Sequence, residues 1–238
     1  MGPIKMKNNV LAMTAVALLL SPTLAFSKSE DSAESGLNGW NLGFGVGYHH
    51  LSSDGTAFAE ELGVGEDIKV KMSTSGIMGE LHGGYSEAEG NDAGDFYWGG
   101  QLELQTSSSE ATKRAGNDNI NNKLIQPFST ALYAQLGALV DEDTAVYGII
   151  GVAYSYFKYK YQDPSDSDSG NYSKWAVGLP VGLGVRTMVE DDLSLNVSAV
   201  YTHYQSFNTK DMKAGSEVYK GKPSPRTVNI TVGLSWVL

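Results

Sequence analysis

The chain ends in a strict period-two pattern. Across residues 227–238, Val228, Ile230, Val232, Leu234, Trp236 and Leu238 fall on one face of an extended backbone, and Thr227, Asn229, Thr231, Gly233 and Ser235 on the other. A strand of a soluble sandwich also alternates, but its polar face meets water and can carry charge. Here the polar face is small and neutral, which suits the inside of a narrow barrel, and an inward cation placed at Asn229 is expected to find polar partners.

The pattern recurs upstream. A first strand alternates Leu42, Phe44, Val46 and Tyr48 with Asn41, Gly43, Gly45 and Gly47. The second sets Ile77, Leu81 and Tyr85 against Met78, Glu80 and His82, and the third sets Trp98, Leu102 and Leu104 against Tyr97, Gln101, Glu103 and Gln105. The fourth has Leu132, Ala134, Leu136 and Ala138 facing away from Tyr133, Gln135 and Gly137. In the sixth, Trp175, Val177, Leu179, Val181, Leu183 and Val185 oppose Ala176, Gly178, Gly182, Gly184 and Arg186; in the seventh, Leu195, Val197, Ala199 and Tyr201 oppose Asn196, Ser198 and Thr202. The fifth, 145–159, is apolar on both faces, and its register stays open. These lengths suit tilted membrane strands of roughly 9–11 residues. Pro180 disagrees with the scheme, because proline removes a ladder hydrogen bond and a closed barrel has no free edge; a bulge is expected there.

The connections alternate too. Short ones at 86–94, 141–143 and 190–192 follow the even strands, and long ones at roughly 52–73, 106–129, 160–173 and 205–226 follow the odd strands. Short periplasmic turns with long external loops mark an outer-membrane barrel. The expected fold is therefore all-β: a closed eight-stranded antiparallel transmembrane β-barrel with four long extracellular loops. Charge follows the same division. Of the basic residues after Ser27, only Lys28 and Arg186 lie away from the long loops and their adjoining strand ends. The short turns hold or abut Glu87, Glu89, Asp92, Asp95, Asp141, Glu142, Asp143, Glu190, Asp191 and Asp192. Cations on the loop side can pair with lipopolysaccharide phosphates. A net charge of -10 suggests no nucleic-acid partner. Trp40, Trp98 and Trp236 near the periplasmic strand ends, and Tyr48, Trp175 and Tyr201 towards the loops, are expected as interfacial aromatics.

Export is expected from the N-terminus. Lys5 and Lys7 precede an apolar run at 10–20, and Ser21-Pro22-Thr23-Leu24-Ala25-Phe26-Ser27 supplies small residues for cleavage, with Thr23/Ala25 and Ala25/Ser27 both suitable. The expected organisation is a signal peptide at 1–27, a short periplasmic segment at 28–38 and the barrel at 39–238. No cysteine is present to brace a soluble exported domain. The mean hydropathy of -0.22 does not oppose membrane insertion, since half of each barrel strand faces a polar interior.

With these features together, the chain resembles the eight-stranded surface-barrel superfamily, which includes the opacity-like and OmpX-like proteins and the OmpA transmembrane domain. The resemblance spans roughly 37–238 and rests on pattern more than on identities. The ending Gly233-Leu234-Ser235-Trp236-Val237-Leu238 looks like the C-terminal signal read by barrel-assembly machinery, which the resemblance implies as a partner, although Leu238 stands where phenylalanine is usual. No peptidoglycan-binding domain follows, so the anchoring role of OmpA is not expected.

Inward-facing Glu80, His82, Glu103 and Arg186 are the candidate interior site, with Glu80 and Glu103 expected as neighbours across the second and third strands. An internal polar network that fills the lumen is preferred to a proton or ion path. Lipid A deacylases of this barrel size carry His-x-Ser on the penultimate strand. Here His203-Tyr204-Gln205-Ser206 has one residue more, which puts His203 and Ser206 on opposite faces of a regular strand, so no catalytic residue is assigned; a bulge would bring the pair together, with Glu217 as the acid, and leaves a deacylase-like enzyme as the remote alternative. The acids of 163–170 lack calcium-loop spacing, and adjacent His49 and His50 point to opposite faces, so neither metal nor cofactor is expected. The fourth loop carries Lys210, Lys213, Lys220, Lys222 and Arg226 as candidate contacts for lipopolysaccharide or another polyanion. Two roles follow: a structural and interaction protein that displays loops to lipopolysaccharide, host surfaces or other cells, or a narrow conduit for small or apolar solutes, as in OmpW-type barrels.

Overall fold

Period-two segments of this length can satisfy their backbone groups only by pairing with neighbours, and in lipid the pairing must close on itself. The computed structural model describes residues 36–61, 64–115, 120–162, 169–209, 212–214 and 217–238, and shows that closure. The strands are β1 (Gly39–Glu61), β2 (Val64–Ala88), β3 (Phe96–Ser107), β4 (Glu110–Ala115), β5 (Ile120–Asp141), β6 (Thr144–Gln162), β7 (Ser169–Glu190), β8 (Leu193–Tyr204), β9 (Met212–Ala214) and β10 (Glu217–Val237). β4 pairs only with β5, and β9 only with β10. The other eight run β1-β2-β3-β5-β6-β7-β8-β10, and β1 pairs with β10 to shut the ring. Every pairing is antiparallel, from Asn41↔Val237 upward at the seam.

Alternation assigns the two faces. Ile77, Leu132, Leu183 and Val232 are exposed on the outside, while Tyr97, Tyr133, Gln135 and Thr231 are buried inside. Such a contiguous apolar exterior is untenable in water and fits hydrocarbon. The register left open for 145–159 is now defined. Ala145, Tyr147, Ile149, Ala153, Ser155, Phe157 and Tyr159 point in, and Val146, Ile150, Val152 and Tyr154 point out. Hydrophobicity could not separate these faces, because the inward side of β6 carries the large rings that fill the lumen.

Three expectations need correction. The long loops are largely strand: β1 and β2 stay paired to Glu61↔Val64, and β6 and β7 to Gln162↔Ser169. The segment Ile68-Lys69-Val70-Lys71-Met72 retains period two, and a ladder satisfies backbone groups above the membrane as it does within it. Pro180 produces no bulge. Its pairing with β8 runs unbroken through Leu179↔His203, Pro180↔Thr202 and Val181↔Tyr201. Towards β6 the ladder stops at Ile150↔Val181 and resumes at Ala153↔Gly178 in the same register, so proline removes bonds there without adding a residue. Finally, the end of the 28–38 segment is built into the barrel. Leu37 is fully buried, Ser86 Oγ donates to its carbonyl at 2.8 Å, and Asn38 Oδ1 accepts from the Ala88 N–H at 2.7 Å.

The three connections on this side are tight. Gly94, at φ 98°, adopts a backbone that side chains disfavour, and its N–H bonds to Leu139 O at 2.8 Å. The other two turn at Asp141↔Thr144 and Glu190↔Leu193. The proposed signal peptide and the acidic stretch at 163–168 lie outside the described residues.

Candidate functional site

The lumen is shaped by glycines on β1. Gly43 pairs with His82 and Gly45 with Glu80, so β1 contributes no side chain where these two polar groups enter. A Cβ at Gly43 would overlap Leu234 O and His82 Nε2; one at Gly45 would lie 2.8 Å from Glu80 Oε1. Gly43→Ala should therefore destabilise the barrel by about 1–3 kcal/mol through overpacking, read as a lower urea midpoint in lipid vesicles. An unchanged midpoint would show that the lumen has slack.

Into this space β7 projects Arg186, 1% exposed. Its Nε donates to Asn196 Oδ1 at 2.6 Å, one terminal nitrogen to Ser86 Oγ at 2.9 Å and Tyr97 OH at 3.2 Å, and the other to Asn41 Oδ1 at 3.3 Å. Two polar arms rise from it. In one, Asn196 Nδ2 donates to Ser235 Oγ at 2.7 Å, which shares a hydrogen with His82 Nε2 at 2.6 Å. His82 Nδ1 then lies 3.5 Å from Glu80 Oε1. In the other, Tyr97 OH donates to Gln135, whose Nε2 donates to Gln101 at 2.9 Å. Gln101, Gln105 and Tyr133 all donate to Glu103.

The acids are neighbours across β2 and β3 without being directly paired. β2 and β3 pair Glu80 with Gln105 and His82 with Glu103, so the carboxyls are diagonal across the ladder. A cavity of about 20 Å³ lies between them, lined also by Gln101, Tyr133, Ser198 and Thr231.

Further towards the loops, Asn229 donates to Gln105 at 3.1 Å and meets His49 Nδ1 at 2.7 Å. Above these, Ser155 Oγ bonds to Tyr204 OH at 2.8 Å and to Ser129 Oγ at 2.6 Å, and Gln126 Nε2 donates to Ser155 and Tyr204. Phe157 packs over this layer, edge-to-face with Tyr204 at 5.0 Å and tilted against Phe207 at 6.0 Å between ring centroids. His49, Gln126, Ser155 and Tyr204 were not assigned from the sequence. Gln126 lay in an expected loop, and Ser155 and Tyr204 had no settled face.

Arg226 forms an ion pair with Asp54 at 3.3 Å, and Lys222 is exposed. Lys210 lies outside the described residues; Lys213 and Lys220 belong to β9 and β10, but their side chains also lie outside. The tryptophans group into bands on the outer wall. Trp40, Tyr85 and Trp98 form one run, with centroids 5.6 and 5.9 Å apart, and Trp236 adjoins Phe44 at 6.0 Å. At the loop end Trp175 stacks on Tyr154 at 4.7 Å. Ser206 Oγ donates to Ser224 at 3.1 Å. A separate outer-wall chain joins Tyr48 OH to Ser75 Oγ at 2.5 Å and Ser75 to His50 Nδ1 at 2.9 Å. Among the described residues, no group of three His, Cys, Asp or Glu side chains is placed to hold a metal.

A closed antiparallel ring, apolar outside and hydrogen-bonded within, defines a transmembrane β-barrel. The outer membrane protein beta-barrel domain family matches residues 13–237, and the chain belongs to that family, an integral protein of the Gram-negative outer membrane. No curated protein matches its sequence. Among solved structures, the outer membrane protein OprG from Pseudomonas aeruginosa is similar, with a TM-score of 0.52 and 15% identity, over 86% of this chain and 100% of that one. Ail, the attachment invasion locus protein of Yersinia pestis, aligns with a TM-score of 0.36 and 14% identity, over 83% of this chain and 99% of that one. Neisserial surface protein A aligns with a TM-score of 0.34 and 13% identity, over 80% and 97% of the two chains.

Proposed function

We propose that this barrel is a structural and interaction protein: a sealed wall that holds its loop-side hairpins out to lipopolysaccharide, host surfaces or other cells. The filled lumen carries this reading. From Leu37 at the turn end, through Arg186 and the acid-bearing layer, to Tyr204 and Phe157 near the loops, successive layers of buried side chains occupy the bore. The cavity of about 20 Å³ among them has room for one water. Among the described residues, this packing leaves little room for a hydrated ion or an apolar solute, which weighs against the conduit reading.

In planar bilayers the protein is expected to leave conductance at the bare-membrane baseline. A variant trimmed at the β1–β2 hairpin should behave alike, since the polar layers lie below that hairpin. Steady conductance in either protein would sink the sealed-wall reading. For contact, the cations of the fourth loop are assigned to lipopolysaccharide phosphates through charge-assisted bonds that salt weakens. Replacing Lys210, Lys213, Lys220 and Lys222 with glutamine should lower lipopolysaccharide binding at low salt and remove most of its salt dependence. Arg226 is retained because Asp54 already engages it. Unchanged binding by a folded variant at both salt concentrations would leave the loop without that role.

A further inference from the structure

The two carboxyl groups of the lumen receive little positive charge from the protein around them. Arg186 spends its donors on Asn196, Ser86, Tyr97 and Asn41, all neutral. Glu103 accepts from Gln101, Gln105 and Tyr133, also neutral. The side chain of Glu80 is only 6% exposed, and His82 Nδ1, its nearest basic atom, stands 3.5 Å from Oε1. That separation is at the outer limit of a hydrogen bond. Its other oxygen, Oε2, is buried with no hydrogen-bond partner, and so is His82 Nδ1.

Both acids line the cavity of about 20 Å³, and so do the oxygen-bearing side chains of Gln101, Tyr133, Ser198 and Thr231. Its size accepts one body as large as a water molecule and excludes a hydrated ion. A carboxyl withdrawn from water either keeps its proton or, when ionised, needs an opposite charge or direct ligation. His82, Asn196, Tyr147, Ile149 and Val200 complete the lining, and the carboxyl and hydroxyl oxygens are the part of it that suits a hard cation. A divalent ion is the poorer candidate, because no trio of His, Cys, Asp or Glu is placed to hold a metal among the described residues.

We propose that this cavity binds one dehydrated alkali cation, sodium or potassium, between Glu80 and Glu103, with neighbouring amide and hydroxyl oxygens completing its shell. The ion would join β2 and β3 to the β8 and β10 wall that carries Ser198 and Thr231. The inference is independent of what the loops contact and needs no conduction, since a single ion bound at rest is enough.

The test is the thermal unfolding midpoint, followed by intrinsic tryptophan fluorescence in vesicles at matched ionic strength. Sodium or potassium chloride should raise that temperature over N-methylglucamine chloride by about 5 °C or more, by preferential binding to the folded state. Glu80→Gln and Glu103→Gln should each abolish the difference. Equal temperatures in all three salts overturn the proposal, as does an alkali effect that survives both substitutions. Should either variant fail to fold, thallium(I) soaked into crystals of the unaltered protein serves instead. An anomalous peak between Glu80 and Glu103 supports the site, and density for water alone overturns it.

Discussion

Arg186→Ala is expected to lower the unfolding free energy of the vesicle-embedded barrel by roughly 3–5 kcal/mol. One substitution removes the donors that reach Asn196, Ser86, Tyr97 and Asn41. A hydrogen bond to a charged group contributes about 1.5–3 kcal/mol, and each buried acceptor left alone costs about 1–3 kcal/mol. Relief from burying a guanidinium offsets part of that loss, which is why the total is well below the sum. The empty volume adds a cavity penalty. Arg186→Met separates these effects, because it refills most of the volume and restores no donor. Urea unfolding should place Met between the parent and Ala, nearer to Ala. If Ala lowers stability by less than about 1 kcal/mol, Arg186 is not the brace that joins β7 to β1, β2, β3 and β8.

That brace was legible in the sequence only as a direction. Alternation along 175–185 puts Arg186 inside, and alternation along β2 and β3 does the same for Glu80, His82 and Glu103. Facing tells which residues share the lumen but not which of them touch, since contact across a bore depends on register and on what the opposite wall leaves open. The turn at 86–94 puts Glu80 and Glu103 on adjacent strands, and the ladder adds the diagonal, with Gln105 opposite Glu80 and His82 opposite Glu103. The glycines were the better clue. Gly43 and Gly45 face inward beside the strand that carries His82 and Glu80, and Gly184 leaves the room that the Tyr147 ring occupies, 2.5 Å from where its Cβ would be.

The misread elements share a cause: hydropathy reports environment, not pairing. On β6 the lumen is filled by aromatic rings, so both faces looked apolar. In β2 beyond Ser73 the outer row turns polar at exposed Lys71 and the apolar row passes to the inner side at buried Met72, yet the ladder with β1 continues to Glu61↔Val64. At Asn229 an inward cation looked tolerable for its polar surroundings. The residue is 4% exposed and already bonded to His49 and Gln105, so Asn229→Arg would meet packing first.

A cleaner test of the membrane face therefore compares depth along the outer wall. Leu183, 68% exposed, lies midway along the outward row of β7 between Trp175 and Val189, with Gly148 and Ala199 beside it. Ser73 also faces outward, but on β2 it lies four residues past Ile77 towards the loops, opposite Ser52. An arginine at the bilayer midplane costs about 2–4 kcal/mol, and one near the interface about 0–1 kcal/mol. Leu183→Arg should thus destabilise the refolded barrel strongly, with Ser73→Arg close to the parent, although both add the same cation to the same kind of surface. The contrast should shrink in short-chain detergent micelles, where a thin and deformable apolar layer lets the guanidinium reach water. Equal free-energy losses at the two positions in vesicles would place the hydrocarbon band elsewhere on the wall, and with it the level assigned to the Trp175 cluster.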